Sequence, residues 1–186
     1  MRPERVLYVV VCGAGPASEV HRLVSAAQDQ GWIVQVIATP AAVDFLDMPR
    51  LEKLSGHPVR TEYRISGASR SLPSAQAAIV APATYNTVNK LAAGVSDNYA
   101  LGVLTELIGL EVPVVVLPFV NSALASRRPF LRSVHALRDE GVRVLFGPGE
   151  FQPHPPGSGG GQLDSFPWHL ALSEAEAMAQ RTPPPT

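Results

Sequence analysis

Only one of the 186 residues is a cysteine, and this scarcity excludes an internal disulfide framework and a cysteine-based metal centre. The charges are nearly balanced, with 15 Lys and Arg against 16 Asp and Glu, so the basic surplus typical of nucleic-acid-binding proteins is missing. The chain also lacks an apolar run long enough to span a membrane and the basic-then-apolar order of a signal peptide. We therefore expect a cytoplasmic protein that binds neither nucleic acid, nor membrane, nor metal.

Short apolar runs alternate with amphipathic stretches along most of the chain. The runs predict strands at residues 6–11, 32–38, 77–81, 112–117 and 142–146. Apolar residues at helical spacing predict the helices between them; in residues 124–140 the expected apolar face comprises Phe130, Leu131, Val134 and Leu137. This alternation predicts an α/β fold, a doubly wound, Rossmann-like (flavodoxin-like) parallel sheet with helices on both faces.

The composition changes after residue 146. Prolines become frequent, and residues 157–161 include four glycines. Such a segment has little apolar surface to bury, so we expect residues 147–165, the flap segment, to be mobile and to hold no fixed position in the core. We expect residues 1–146 to form the main part of the domain. Residues 147–186 would add the flap segment, a short helix and a frayed tail to the same domain.

In a parallel sheet of this kind, ligands bind beyond the carboxyl ends of the strands, and three loops fall at that edge. The first loop follows residues 6–11 and reads Gly13-Ala14-Gly15-Pro16-Ala17-Ser18. Small residues here let backbone N–H groups approach a phosphate at a helix N-terminus. A tight structural turn without any ligand explains this loop equally well.

A dinucleotide site is disfavoured by the residues around this loop. The dinucleotide pattern needs a third glycine where Ser18 stands, and an acidic residue after the second strand to bind the ribose. The second strand ends instead in Ala38-Thr39-Pro40. An NAD or nucleotide-sugar site is therefore the least favoured interpretation.

The second loop carries the strongest motif in the chain. It reads Pro82-Ala83-Thr84-Tyr85-Asn86-Thr87 and is followed by Gly94-Val95-Ser96-Asp97-Asn98. Both parts resemble the signature of the homo-oligomeric flavin-containing cysteine decarboxylases. That family includes phosphopantothenoylcysteine decarboxylases and the peptide-cysteine decarboxylases of lantibiotic biosynthesis. Without the resemblance, the same residues predict only a helix that is capped by Thr84 or Asn86.

The resemblance implies FMN as the cofactor and a substrate, a small molecule or a peptide, with a cysteine-like group. The positions that match the family's cofactor contacts lie in the three loops and after the second strand: Gly13, Ala14, Gly15, Ser18, Thr39, Ala41, Phe45, Pro82, Ala83, Thr84, Tyr85, Thr87, Asp97, Asn98 and Phe119. The resemblance also implies a homotrimer or a multiple of trimers such as a dodecamer, because family members complete the FMN site from a neighbouring subunit.

The third loop, Leu117-Pro118-Phe119-Val120-Asn121-Ser122, matches the family only in part. Asn121 stands where the family has an asparagine that helps to hold the substrate, and Asn86 keeps its place in the signature. The resemblance therefore implies catalytic roles for both asparagines. Phe119 replaces a small residue of the family, which predicts a remodelled substrate pocket.

The catalytic base of the family has no counterpart at its usual place. In the family reaction, FMN oxidises the substrate thiol toward a thioaldehyde, carbon dioxide leaves, and a histidine fourteen residues before the signature proline handles the proton. That position is Ala68, whose methyl group cannot accept a proton. The flap cysteine of the coenzyme A enzymes is missing as well. The histidines that remain to take this role are His154, our catalytic candidate, and His169.

Two functions stay open on this basis. The retained Asn86 and Asn121 favour an FMN-dependent decarboxylase or oxidoreductase of the carbon–carbon lyase type. The alanine at position 68 favours a non-catalytic flavoprotein that regulates or binds a partner. Release of carbon dioxide from a cysteine-terminated peptide distinguishes the two.

Overall fold

A computed structural model describes residues 5–62 and 73–181. Five strands in these residues form one parallel sheet in the order β2-β1-β3-β4-β5. They are β1 (Val6–Val11), β2 (Ile33–Ala38), β3 (Ala77–Ala83), β4 (Val114–Pro118) and β5 (Arg143–Val144). Nearly all of their residues are buried, as continuous β-branched runs predict for a sheet that is covered on both faces. The doubly wound α/β fold is confirmed.

Helices cover both faces of this sheet. They are α1 (His21–Asp29), α2 (Met48–Ser55), α3 (Tyr85–Ala92), α4 (Tyr99–Gly109), α5 (Ser122–Ala125), α6 (Arg128–Asp139) and α7 (Trp168–Arg181). Helices α1, α2 and α7 share one apolar core with the sheet, and α3, α4 and α6 share the other. Within the described ranges, no helix is both long and apolar enough to cross a membrane.

The position of β1 determines where a ligand can bind. It lies between β2 and β3 and pairs in parallel with both. The chain leaves β1 toward α1 on one face, and it leaves β3 toward α3 on the opposite face. The chain therefore turns to opposite faces of the sheet after β1 and after β3. The crevice between these two connections is the switch point at which doubly wound sheets bind their ligands.

Three expectations about individual elements are wrong. Residues 124–140 do not form one helix, because Pro129 cannot donate a backbone hydrogen bond and marks the start of a separate helix, α6. Leu131 is 39% exposed, since it lies one residue after the buried Phe130 and so points about 100° away from the core. The last helix, α7, has 14 residues rather than a short run.

The flap segment (residues 147–165) also differs from its expectation. Phe151 and His154 are buried, although we expected no fixed core position in this segment. Their burial comes from aromatic rings at the carboxyl edge of the sheet, which supply the apolar surface that the prolines and glycines lack. The division between residues 1–146 and 147–186 remains a prediction, and so does the frayed tail, since residues 182–186 lie outside the described ranges.

Candidate functional site

The loops after β1, β3 and β4 meet at the carboxyl edge of the sheet. The Cys12 N–H donates to the Pro82 carbonyl at 3.1 Å, which joins the first loop to the second. The Phe119 N–H donates to the Ala83 carbonyl at 2.8 Å, which joins the third loop to the second. These two bonds continue the sheet beyond its regular ladder, so the three loops lie side by side.

The two glycines of the first loop allow close approaches by two different neighbours. A Cβ atom at Gly13 would lie 2.3 Å from the backbone oxygen of Ala41, in the stretch after β2. A Cβ atom at Gly15 would lie 2.9 Å from Leu163 Cδ2, in the flap segment, and 3.4 Å from Phe119 Cε1. The missing side chains thus bring the stretch after β2, the third loop and the flap segment against the first loop.

The first loop does not lead directly into an α-helix, contrary to our expectation. It enters a 3-10 helix, Gly15–Glu19, and α1 begins only at His21. The chain winds tightly here because the N–H groups of Ala17 and Val20 each bond to a carbonyl three residues earlier. An anion near Gly15 would therefore meet the N–H groups of the loop, because the influence of a helix dipole falls off beyond its first turn.

The signature loop forms the start of α3. The Oγ1 atom of Thr84 accepts a hydrogen bond from the Thr87 N–H at 3.2 Å, so Thr84 is the cap. The alternative assignment of Asn86 as the cap is wrong, and its side chain is exposed instead. Tyr85 stacks on Phe130 with the ring centres 5.7 Å apart, which fixes the helix start against α6.

The one cysteine, Cys12, is buried next to this loop. Burial raises the pKa of its thiol, while hydrogen bonds with the Thr87 side chain and the Thr84 backbone act in the opposite direction. The thiol is therefore protonated at neutral pH, and a protonated buried thiol is a poor nucleophile.

Asp97 and Asn98 occupy the connection between α3 and α4. Asp97 pairs with Lys90 at 2.5 Å, and the hydrogen bond from Lys90 is the main cause that lowers the pKa of the Asp97 carboxyl. Asn98 caps α4 by accepting the Leu101 N–H at 3.1 Å. Asp97 and Asn98 thus contact their own helices, α3 and α4, whereas the loops after β1 and β4 bond to the second loop.

Asn121 and Phe119 take different positions in the third loop. The Oδ1 atom of Asn121 accepts the Leu124 N–H at 2.9 Å and caps α5, so its amide Nδ2 is left to donate to a ligand. Phe119 lies at the centre of an aromatic group with Phe151 and Phe166, at ring distances of 6.0 and 5.7 Å.

His154 joins this aromatic group from the flap segment. Its ring lies 4.6 Å from that of Phe119, and the residue is only 9% exposed. Its carbonyl accepts the Ser122 N–H at 2.8 Å, and its backbone forms a parallel bridge with Asn121. Within the described part of the chain, the buried Nδ1 atom has no hydrogen-bond partner. A ligand that reached this atom would meet a histidine nitrogen that forms no hydrogen bond in the described residues.

The remaining histidines lie elsewhere. His169 is exposed on α7, and His135 is exposed on α6. His21 is half-buried near Glu19, and His57 is half-buried in the turn after α2. Ala68 lies outside the described residues. Of the two histidines that the sequence offers as replacements for the family base, the structure therefore brings His154 to the loops.

The sequence analysis did not identify Leu163, Gly159, Phe151 or Phe166 as part of this site. A Cβ atom at Gly159 would lie 3.0 Å from the His154 Nε2 atom, so a larger residue there would displace the ring. The available signal was two phenylalanines, Phe151 within the proline-rich flap segment and Phe166 directly after it. Phenylalanine is rarely placed in a segment that has nothing to pack against.

A cavity also lies at the opposite edge of the sheet, away from the three loops. It has about 450 Å³, lies where β4 begins and is lined by Ile108, Glu111, Val112, Pro113, Val114, Asp139, Glu140, Gly141, Val142 and Met178. The described residues contain no group of three or more His, Cys, Asp or Glu side chains that is arranged to hold a metal ion.

The exposed part of the carboxyl edge suits a phosphate-bearing ligand such as flavin mononucleotide. Gly15 and Ser18 are exposed, so backbone N–H groups and a hydroxyl of the first loop are open to an anion, and Asn86 is exposed in the second loop. Ala14, Pro82 and Ala83 are small but buried, and the Cβ position of Gly13 is filled by the Ala41 backbone.

Comparisons with known proteins agree with this fit. The family model described as Flavoprotein matches residues 1–166. The coenzyme A biosynthesis bifunctional protein CoaBC of Escherichia coli K12 is 28% identical over 144 residues, which cover 74% of this chain and 34% of that protein. The chain thus spans about a third of the length of the curated relatives that it matches.

Solved structures give the same result. The FMN-dependent cysteine decarboxylase TvaF from thioviridamide biosynthesis has a TM-score of 0.74 at 22% identity and covers 95% of this chain and 98% of its own. The cypemycin decarboxylase CypD has a TM-score of 0.69 at 25% identity, with 96% of each chain covered. Because the family model covers most of the sequence, the resemblance seen in the signature loop is confirmed at the family level, and the chain belongs to the flavoprotein family.

Proposed function

We propose that this protein binds FMN at the carboxyl edge of its sheet and uses it to oxidise and decarboxylate a cysteine-like group of a small molecule or peptide. The observation that carries the proposal is the position of the signature loop (residues 82–87), which lies beside the first loop at the switch point between β1 and β3. The names of the solved neighbours support FMN as the flavin.

Different loops would bind different parts of the cofactor. The N–H groups around Gly13 and Gly15 would hold the phosphate, with Ser18 nearby. The stretch after β2 and the signature loop would hold the remainder, through Thr39, Ala41, Phe45, Pro82, Ala83, Thr84, Tyr85 and Thr87. Phe45 supports this assignment because it is 44% exposed, and a large apolar side chain at a loop edge is available to contact a ring. Asp97 and Asn98 fit a role at a subunit contact, where a neighbour's cofactor would reach them.

FMN, when bound, supplies the two-electron acceptor for the substrate thiol. The residues of the chain would then orient the substrate and handle its proton. The exposed Asn86 amide and the free Nδ2 of Asn121 are donors suited to a carboxylate or a peptide carbonyl. His154 would exchange the proton, since its buried Nδ1 atom has no other partner in the described residues.

A direct test concerns the colour of the protein. We expect the purified protein to be yellow and to release FMN, rather than FAD or NAD, on denaturation. If the cofactor is lost during purification, added FMN should bind with quenching of its fluorescence. A colourless protein that leaves the fluorescence of added FMN unchanged would overturn the proposed site.

A second test concerns molecular mass. We expect a homotrimer or a dodecamer, with residues 84–98 at or near the contact between subunits. Light scattering on the FMN-bound protein measures this mass directly. A monomer that still holds FMN would contradict the shared site, because each chain would then complete its own cofactor site.

A non-catalytic flavoprotein is the second candidate function, and the alanine at position 68 is the observation that favours it. Such a protein would bind FMN and act through a protein partner without turnover. Cysteine-terminated peptides separate the two candidates, because only the enzyme would release carbon dioxide from them. FMN binding without release from any such peptide would favour the non-catalytic protein.

A further inference from the structure

We infer that Phe119 is a positioning residue that holds the His154 ring in its place at the site. The catalytic part of this inference rests on the proposed function. The positional part concerns the protein itself and is testable without a cofactor.

His154 lacks a hydrogen bond at one ring nitrogen. A functional histidine is usually fixed by a hydrogen bond from one ring nitrogen to a carboxylate or a backbone carbonyl. The Nδ1 atom of His154 has no such partner in the described residues, although it is buried. Packing is therefore what remains to direct this nitrogen.

Phe119 supplies the nearest packing surface. The two rings lie 4.6 Å apart at an interplanar angle of 32°, closer than Phe119 lies to Phe151 or Phe166. Gly159 closes another side, because a Cβ atom there would lie 3.0 Å from Nε2 and 3.5 Å from the Phe119 ring. The imidazole is thus held between an aromatic face and a residue without a side chain.

The backbone on each side of this contact is already fixed. Phe119 is bonded to Ala83 of β3 through its N–H, and the His154 carbonyl accepts the Ser122 N–H. Both residues therefore depend on the same turn after β4, and their separation changes little while that turn stays intact. Packing between two anchored backbones determines the direction of the free nitrogen.

Arg143 anchors the flap segment from outside the site. It pairs with Glu150, near the start of the segment, at 2.5 Å, and with Glu174 of α7 at 3.1 Å. One arginine therefore bridges the chain before and after His154. The ring can still turn about its own side-chain bonds, and the contact with Phe119 restricts that rotation.

The experiment compares the wild type with Phe119→Leu, Phe119→Tyr and Phe146→Leu. Phe119→Leu keeps an apolar side chain but removes the ring, and Phe119→Tyr keeps the ring and should rescue the wild-type behaviour. Phe146→Leu is the matched control, since Phe146 is also half-buried and packs on Phe130 at 5.3 Å. Circular dichroism establishes that each variant is folded.

Two nuclear magnetic resonance readouts need no cofactor. In Phe119→Leu, the couplings between the α and β protons of His154 should show averaging over several side-chain rotamers, whereas the wild type should hold one rotamer. The nuclear Overhauser contact between the His154 ring and the Gly159 α protons should weaken, because a ring that rotates no longer stays beside Gly159. Phe119→Tyr and Phe146→Leu should keep both signals near their wild-type values. Wild-type signals in Phe119→Leu would overturn the inference.

A kinetic readout tests the catalytic part. A misplacement of about 1 Å can cost about 100-fold in rate, so we expect kcat of Phe119→Leu to fall by about 10- to 100-fold with little change in KM. A rise in KM at constant kcat would overturn this part, because Phe119 would then serve substrate binding. If the wild type has no turnover while the two magnetic resonance signals change as expected, the positional inference stands and the proposed reaction fails.

The wild type decides the matter if Phe119→Leu does not fold. Its spectrum should contain nuclear Overhauser contacts between the protons of the Phe119 and His154 rings, given the 4.6 Å between ring centres. Complete absence of these contacts from an assigned spectrum would overturn the inference.

Discussion

Replacing His154 with alanine is expected to lower turnover by about 100- to 10,000-fold, the range that general acid–base help usually contributes. In the proposed function the buried His154 imidazole exchanges the proton, and alanine cannot do so. The measurement is carbon dioxide release from a cysteine-terminated peptide in the presence of saturating FMN. FMN affinity, measured by fluorescence quenching, should change little, because the loss concerns the reaction rather than the cofactor.

Two further histidine variants serve as comparisons. His169→Ala removes the other histidine that the sequence offers, and its exposure on α7 predicts nearly wild-type turnover. His135→Ala removes an exposed histidine on α6, outside the three loops, and controls for the loss of an imidazole in general. Robust turnover in a variant that lacks both His154 and His169 would contradict this account, since the base would then come from water or from the substrate.

The substitution Ala68→His tests the same account from the other direction. The resemblance of the signature loop implies a histidine of the family at this position, so the variant would supply that imidazole in this chain. A gain of turnover in Ala68→His would indicate a scaffold whose own chemistry has been lost or redirected. Turnover in the double variant Ala68→His, His154→Ala would show that an imidazole at position 68 can exchange the proton without His154.

The fold was predictable because its signals are local. The continuous β-branched run at residues 6–11 and the helical spacing of Leu23, Val24 and Ala27 are visible in short windows of sequence. The signature loop was predictable for the same reason, since Thr84 caps α3 within four residues. The misplaced Leu131 was avoidable, because the spacing of Phe130, Val134 and Leu137 alone defines the buried face.

The flap segment was not predictable in this way. Its prolines and glycines suppress any periodic pattern, so the sequence around His154 indicates no regular element. What buries His154 is Phe119, 35 residues earlier, and what approaches Gly15 is Leu163, 148 residues later. Such pairings depend on the order of the strands, because β4 and β1 first have to place their loops at the same edge. A single sequence carries no direct signal for them.

The second large effect is expected at the first loop, where Gly13→Ala should destabilise the fold and weaken FMN binding together. The new Cβ atom would lie 2.3 Å from the Ala41 oxygen and 2.8 Å from its carbonyl carbon. Both are backbone atoms, so the loop after β1 and the stretch after β2 have to separate. Overpacking of this kind costs about 1–3 kcal/mol in the free energy of unfolding, measured by urea denaturation.

Gly15→Ala is the matched comparison, and it distinguishes a rigid contact from a soft one. Its new Cβ atom would meet the end of the Leu163 side chain at 2.9 Å, and a flexible side chain can turn aside where a backbone carbonyl cannot. We therefore expect Gly15→Ala to lower the free energy of unfolding by less than about 1 kcal/mol. The same change should cost still less in a protein that already carries Leu163→Ala, when it is compared with Leu163→Ala alone.

FMN should bind about 10- to 100-fold more weakly to Gly13→Ala than to the wild type, since each factor of ten corresponds to about 1.4 kcal/mol. Equal stabilities for Gly13→Ala and the wild type would mean that the stretch after β2 does not lie against the first loop, and the assignment of Thr39, Ala41 and Phe45 to the cofactor site would fall with it.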